Sequence, residues 1–209
     1  MARWVLVRHG ETAWNVEERI QGWTDVPLHD GGRREAALTA ARVAPFRFVA
    51  AYASDMERTQ ETARIILDAQ APGAPELQVD PALREIGFGV FEGLTWAQMR
   101  EREPVMANRD AVRHLDFTPQ DGESFRQLLA RTGVFAAMIA ERHADDDVLV
   151  VAHGGSLRAL AVRLLGLPDE AVWLLRGLHS ASISVIAQGA SREGDPPSLM
   201  AWNDWGHLA

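Results

Sequence analysis

Short unbroken apolar runs recur along the chain: Trp4-Val5-Leu6-Val7, a second within Phe46 to Ala53, Val148-Leu149-Val150-Val151-Ala152, and Ile183 to Ala187. Runs of this length read as strands buried on both faces, the habit of a parallel sheet. Leu77-Gln78-Val79 and Leu199 to Trp202 read as two further strands. Helical spacing fills the intervals. Arg33 to Val43 carries Ala36, Ala37, Ala40 and Ala41. Ile65, Ile66 and Leu67 close a helix that begins at Ser54, where Ser54 and Glu57 have the spacing of a capping box. Thr95 to Arg102 makes a short helix. Gly122-Glu123-Ser124 opens a long one, with Phe125, Leu128, Leu129, Thr132, Ala136 and Ile139 on one face, ending near His143. Ser156 to Leu165 is the last helix, with Leu157, Leu160, Ala161 and Leu164 at helical spacing. Strands alternating with helices predict an α/β fold with a mostly parallel central sheet.

The 209 residues suit one domain, 1–209, with a lid-like insertion at about 94–121. Between Glu103 and Gln120 the pattern blurs, with Pro104, Pro119 and several charges, as in a mobile cover over a crevice. Arg100, Arg102, Arg109 and Arg113 fall there, either a solvated face or a grip on an acidic substrate. An apolar fraction of 47% with 24% charged residues is a globular composition. The absence of cysteine excludes disulfides, thiolate nucleophiles and Cys-based metal sites. All 21 basic residues are arginine, which excludes Schiff-base chemistry and the lysine-bearing phosphate loop of nucleotide hydrolases. A net charge of −8 argues against a nucleic-acid partner. No apolar run approaches the roughly 18 residues that span a bilayer, and the N-terminus enters a strand without a signal sequence, so no membrane partner and a cytoplasmic location are expected.

Chemistry gathers at the strand ends. The first strand runs into Arg8-His9-Gly10-Glu11-Thr12, with Gly10 stopping the strand. Arg8 and His9 therefore stand at the carboxyl end of a central strand, where open α/β sheets place their ligand crevice. An arginine fork beside an imidazole suits a phosphoryl group, the one as clamp and the other as nitrogen nucleophile. The plainer reading is a surface arginine and a histidine that caps a strand. Val148 to Ala152 repeats the design with His153-Gly154-Gly155, and the following helix aims its first N–H groups beside His153. Arg58 lies in the first turn of its helix, where it needs either a bound phosphate or an ion pair with Glu61 or Asp55. Glu85 sits among Leu83, Ile86 and Phe88, either a semi-buried acid with a proton to give or the partner of Arg84. In the loop from Ala13 to Leu28, Asn15 and Gln21 read as amide donors. Trp14 and Trp23 read either as apolar lining or as pins for the loop. Asp145-Asp146-Asp147 precedes its strand, away from the crevice, and reads as a solvated turn instead of a metal site. His29, His114, His143 and His179 read as structural or solvent-facing.

Combined, these residues describe phosphoryl transfer. Arg8 and Arg58 clamp the three oxygens, with His153 and the Gly154 N–H completing the pocket. His9 attacks phosphorus and becomes a phosphohistidine; Glu85 protonates the leaving oxygen and later takes a proton from water. The arginines and His153 neutralise the charge, so neither a metal nor another cofactor is expected.

At this level the chain resembles the histidine phosphatase superfamily, also called the phosphoglycerate mutase-like family. The resemblance rests on Arg8-His9-Gly10-Glu11-Thr12 with Asn15, the substrate loop Gln21-Gly22, Asp25-x-Pro27-Leu28, and Ser54-Asp55-Met56-Glu57-Arg58-Thr59-x-x-Thr62-Ala63. It continues through Leu83-Arg84-Glu85-Ile86-x-x-Gly89-x-x-Glu92-Gly93, Gly122-Glu123-Ser124, Val151-Ala152-His153-Gly154 and Asn203. It implies a three-layer α/β/α sandwich, a phosphohistidine intermediate and no metal. It also implies a phosphate and substrate site made of Arg8, Asn15, Gln21, Gly22, Arg58, His153 and Gly154, and often a homodimer. His29 departs from a usual small hydroxyl residue, and the segment near His179 lacks a commonly seen Asn. Cofactor-dependent phosphoglycerate mutases resemble this family but carry a longer, lysine-bearing insertion, whereas Gly93 to Gly122 is short and has no lysine. The expected activity is therefore hydrolysis of a small phosphorylated metabolite, releasing inorganic phosphate. Phe88 to Gly93 is similar to small-molecule phosphatases, including α-ribazole phosphatases. A phosphoglycerate mutase is the alternative. A catalytically silent binding domain is the remote one, and the intact set of His9, Arg58, Glu85 and His153 argues against it.

Overall fold

The computed structural model describes residues 2–103, 114–189 and 195–209. At its centre β1 (Arg3–Arg8) pairs in parallel with β4 (Asp147–Ala152) and antiparallel with β5 (Ile183–Ala187). β2 (Phe48–Ala53) and β3 (Leu77–Val79) extend the parallel side, and β6 (Ser198–Asp204) closes the other edge against β5. The six strands lie in the order β3-β2-β4-β1-β5-β6. The sheet is mostly parallel as expected, with β5 the reversed strand.

The apolar runs are buried because alternate side chains serve opposite faces. On one face Trp4, Leu6, Tyr52, Val148 and Val150 pack under α5 (Phe125–Arg142) and α6 (Gly154–Leu164). On the other Val5, Val7, Ala51, Leu149 and Val151 pack under α2 (Asp30–Val43) and α3 (Glu57–Asp68). The result is the expected three-layer α/β/α arrangement. The short helices α1 (Ala13–Val16) and α4 (Trp96–Arg102) lie in the segments that follow β1 and precede α5.

Helix starts are where the sequence reading needs correction. α3 begins at Glu57 with Met56 as its N-cap, so the expected Ser54–Glu57 capping box does not form. The Ser54 hydroxyl turns instead to Thr59 and His153. Part of the supposed loop after Thr12 is the helical turn α1, closed by a reciprocal capping box between Thr12 and Asn15. α2 begins at Asp30, with His29 as its cap: Nδ1 accepts the Gly32 N–H at 3.0 Å while Nε2 meets Glu11 at 3.1 Å. The imidazole thus serves as the cap of this helix. α6 begins at Gly154, two residues before the expected start. Gly10 is required by packing, since a Cβ there would stand 2.4 Å from the Gly32 carbonyl oxygen.

Asp147 pairs with Arg3 through an Nε–Oδ1 contact of 2.9 Å, which makes the aspartate run a strand entry. No cluster of three or more acidic or histidine side chains suited to a metal occurs among the described residues. Among them, too, no helix is long and apolar enough to cross a membrane. Arg100 and Arg102 are exposed on α4; Arg109 and Arg113, within the expected lid, lie outside the described residues.

The β1–β4 register decides what the fold can do. Arg8 pairs with Ala152, so His9 and His153 emerge side by side, each just beyond its strand. Replacing the fully buried Leu149 beneath them tests how firmly the sheet holds. Leu149→Ala should cost about 2–5 kcal/mol, read as a lower urea midpoint at unchanged m-value.

Candidate active site

A cavity of about 370 Å³ opens at this edge, and Arg8, His9, Asn15, Gln21, Gly22, Arg58, Glu85, His153 and Gly154 all line it. The structure therefore brings together every site residue expected from the sequence.

The two imidazoles stand with ring centres 5.2 Å apart, inclined at 64°. His9 Nδ1 lies 2.7 Å from the Gly10 carbonyl oxygen. That oxygen can only accept, so Nδ1 carries the proton and Nε2 keeps its lone pair. His153 is oriented by Ser54, whose hydroxyl oxygen lies 2.8 Å from Nε2. The Thr59 hydroxyl donates to the Ser54 and Met56 carbonyls, so Ser54 donates to Thr59 and accepts from His153 Nε2. His153 Nδ1 is left buried without a partner.

The arginines are equally short of partners. Arg58 is fully buried; Nη1 donates to the Thr24 carbonyl at 3.0 Å and Nη2 to the Gly22 carbonyl at 2.9 Å, with Asp25 at 3.4 Å. Neither expected ion pair forms, because Glu61 is taken by Arg33 and Asp55 by Arg84. Arg8 donates Nη1 to the Leu178 carbonyl. The Nε of each arginine has no acceptor among the described residues. A buried donor left without an acceptor costs about 1–3 kcal/mol, so the two guanidinium Nε groups left so around one cavity mark the place where an anion binds. His153 Nδ1, the lone-pair nitrogen of this tautomer, joins them only on taking up a proton.

Burial, with the Arg58 and Arg8 charges adding to it, holds the His9 pKa well below its ordinary 6.5. His153 is pushed the same way by burial, then by Arg58, His9 and Arg8. Burial also lowers Arg58, to about 10, which leaves it cationic at neutral pH.

Glu85 is held by the start of α6. Its Oε1 accepts the N–H groups of Ile86 at 2.9 Å and Ser156 at 3.1 Å, and its Oε2 that of Gly155 at 3.0 Å. The helix amides expected to face a ligand beside His153 are therefore spent on this carboxylate, beyond Gly154 itself. Residue 155 must be glycine, since a Cβ would stand 2.4 Å from Glu85 Oε1. Arg131 pins the segment behind it, donating to the carbonyls of Ala82, Arg84 and Glu85 while paired with Glu123 at 2.7 Å. Arg84 is turned away onto Asp55 and does not pair with Glu85.

The approach loop is tied in the same manner. Gly22 adopts φ +57°, and the Glu92 carboxylate collects the N–H groups of Trp23, Thr24 and Phe88. The Asn15 side-chain oxygen accepts from the N–H and hydroxyl of Thr12, which leaves its NH₂ for the cavity. Trp14 and Trp23 do not line the cavity: Trp14 packs on Gly93, and Trp23 donates its indole N–H to the Glu85 carbonyl at 2.8 Å. The aromatic wall comes instead from Phe88, Trp96, Phe117, Phe125 and Trp173. His114, read as structural or solvent-facing, also lines the cavity, as does Arg158, which no sequence signal had singled out. Glu92 and Glu123 were visible only as members of quoted motifs. Arg131 and the Ser54–His153 contact had no local signal.

A family model described as the histidine phosphatase superfamily (branch 1) matches residues 4–204. A metal-independent phosphoserine phosphatase from Arabidopsis thaliana is 40% identical over 207 residues, covering 98% of this chain and 82% of that protein. A 2,3-bisphosphoglycerate-dependent phosphoglycerate mutase 2 from Gloeobacter violaceus is 37% identical over 175 residues, 82% of this chain and 80% of its own. The solved structure of a mycobacterial glucosyl-3-phosphoglycerate phosphatase in complex with VO3 superimposes with a TM-score of 0.86 at 31% identity, covering 97% of this chain and 99% of that one.

The buried neutral histidines make stability depend on pH. Their folded pKa values lie below the ordinary 6.5, so between the two the unfolded chain binds more protons. Stability should therefore fall as pH drops below about 6.5. Urea titrations in phosphate-free buffer between pH 7.5 and 5 should give a shallower loss for the double variant His9→Asn, His153→Asn. An equal slope in both proteins would exclude the histidines as its source.

Proposed function

This chain belongs to the histidine phosphatase superfamily and is a phosphatase, and we propose that it hydrolyses small phosphomonoesters without a metal, through a phosphohistidine on His9. One observation carries the reading: His9, with its Nε2 unprotonated, lines the same cavity as Arg8 and Arg58, whose Nε groups lack acceptors among the described residues.

In the first step Nε2 attacks phosphorus and the bond to the ester oxygen breaks. Arg8 and Arg58, with the Gly154 N–H and with His153 once its Nδ1 takes up a proton alongside the entering phosphoryl group, stabilise the charge on the three phosphoryl oxygens. Glu85 gives its proton to the departing alkoxide. Its Oε2 has one N–H partner against two for Oε1, which leaves it the freer oxygen to carry that proton. In the second step the Glu85 carboxylate takes a proton from water as the water oxygen attacks phosphorus. The N–P bond breaks, His9 is restored, and inorganic phosphate leaves with the alcohol already released.

The cavity volume falls within the range of small-molecule sites and exceeds what a phosphoryl group needs, so a compact leaving group is accommodated. Phosphoserine, phosphoglycerate and glucosyl-3-phosphoglycerate, the compounds in the relatives' names, are phosphorylated hydroxy acids of this scale. Mutase action is the second reading, favoured by the Gloeobacter relative. The short lysine-free segment from Gly93 to Gly122 favours hydrolysis. A cytoplasmic location belongs to the same proposal, because charged metabolites do not cross lipid readily.

Rapid denaturation during turnover of p-nitrophenyl phosphate should trap a phosphoryl group on His9, detectable by mass spectrometry. His9→Ala should abolish both adduct and turnover, and EDTA should change neither. Turnover surviving in His9→Ala would falsify the mechanism. With 3-phosphoglycerate, phosphate release should outrun isomerisation even in the presence of 2,3-bisphosphoglycerate.

Glu85→Gln removes the proton donor. It should slow an alkyl phosphate by about 10²–10⁴-fold and p-nitrophenyl phosphate much less, since nitrophenolate leaves without help. Equal losses on the two substrates would count against the assigned role.

A further inference from the structure

Arg158 lies one turn into α6, and its guanidinium lines the same cavity as His9 and Glu85. It is fixed from one side only. Nε and Nη2 both donate to the Val172 carbonyl oxygen, the former at 3.1 Å. Two aromatic rings back the guanidinium from one side: its centre lies 5.5 Å from the Trp173 ring and 5.9 Å from that of Phe125, themselves 4.5 Å apart. A guanidinium held by its Nε–Nη2 edge still presents the Nη1–Nη2 edge, the fork that meets a carboxylate with two parallel bonds.

Nothing among the described residues meets that edge. The carboxylates that share the cavity are Glu85 and Glu123, and both are engaged, Glu85 by three backbone amides and Glu123 by Arg131. The indole N–H of Trp173, in the ring stacked on Arg158, also lacks an acceptor among those residues. The rest of the wall is largely aromatic, with His114 and Arg19 beside it; Arg19 is already paired with Glu17 and donates to the Gly93 carbonyl.

We propose that Arg158 is the specificity-determining residue of this site, binding a carboxylate on the leaving-group side of the substrate. The inference rests on the phosphomonoesterase reading and adds to it a substrate class, phosphomonoesters of short hydroxy acids. Both groups stand at the start of α6. Glu85, the proton donor to the ester oxygen, is bound by the N–H groups of residues 155 and 156, and Arg158 follows within one helical turn. A leaving group that extends past Glu85 along this helix meets Arg158 next. Arg158 touches neither phosphorus nor the transferred proton in this scheme, so its contribution is to ground-state and transition-state binding alike.

The test is a matched pair, 3-phosphoglycerate and glycerol 3-phosphate, in which a carboxylate is exchanged for a hydroxymethyl group. The wild-type enzyme should prefer the acid. Arg158→Met, and Arg158→Gln, which can still donate to the Val172 carbonyl, should lose roughly 10- to 100-fold in kcat/KM on 3-phosphoglycerate, mainly through KM. Turnover of glycerol 3-phosphate and p-nitrophenyl phosphate should change less than about threefold, which also certifies the fold. Equal losses on all three substrates would assign Arg158 a merely structural role and overturn the proposal. So would a wild-type enzyme without preference for the acid, or variants that keep it. His9-dependent turnover of p-nitrophenyl phosphate alongside any of those results would leave the phosphatase reading standing; its absence would remove both.

Discussion

Buried positive charge left short of acceptors is the constraint on which this molecule depends. Arg8 and Arg58 sit out of water at the end of the sheet, and backbone carbonyls of Gly22, Thr24 and Leu178 with Asp25 meet only part of their hydrogen-bonding capacity. Removing an ion from water costs several kcal/mol even after relaxation, and carbonyl dipoles offset that only in part. An arriving phosphoryl group supplies the missing charge and acceptors together. The same burial and the same cations hold His9 and His153 in their neutral forms. The clamp and the free lone pair on the nucleophile therefore have one cause.

Such a cup keeps its shape only if its supports are stiffer than the ligand's pull. The β1–β4 register fixes the two histidines, and Ser54 with Thr59 fixes the tautomer of the second. Arg131 gathers three carbonyls of the Glu85 segment, those of Ala82, Arg84 and Glu85, while its own charge is met by Glu123. Glu92 does the converse for the approach loop, gathering N–H groups with a carboxylate. In both cases one charged side chain satisfies several backbone groups of an irregular segment. A loop without a ladder needs this to be held in one conformation.

What could be read from the sequence follows from how far each interaction reaches along the chain. The strands were legible because apolar runs bury both faces wherever they lie in the order, and His9 and His153 were legible because each follows such a run directly. Ser54 misled because its spacing to Glu57 is a local signature, while its hydroxyl is drawn to His153, 99 positions away, as well as to Thr59. Of the two readings open for Trp14 and Trp23, the structure takes the second: near the site in sequence, they pin the loop, while Trp96 and Trp173 wall the cavity in space. A grip for acidic substrates was sought among the arginines of the 94–121 segment, of which Arg100 and Arg102 are exposed and do not line the cavity. Arg158 escaped notice because it interrupts a helix whose other positions read as core, and its exposure to the cavity depends on the turn that carries Val172.

The placement of Arg158 ties selection to chemistry through a single rigid element. The first amides of α6 hold the acid that protonates the leaving oxygen, and the next turn of the same helix carries the cation proposed to read the leaving group. The rise of a helix is set by its hydrogen bonds, so the backbone positions that carry the two functions keep their spacing, and the Val172 carbonyl fixes the Arg158 side chain in turn. Phe125 and Trp173 pack against the Arg158 guanidinium itself, whereas the outer walls come from Trp96 and Phe117 on other elements. Substitutions there can reshape the space for a leaving group without moving Glu85 or the fork beside it. A scaffold divided in this way can vary its substrates while the phosphoryl cup stays constant.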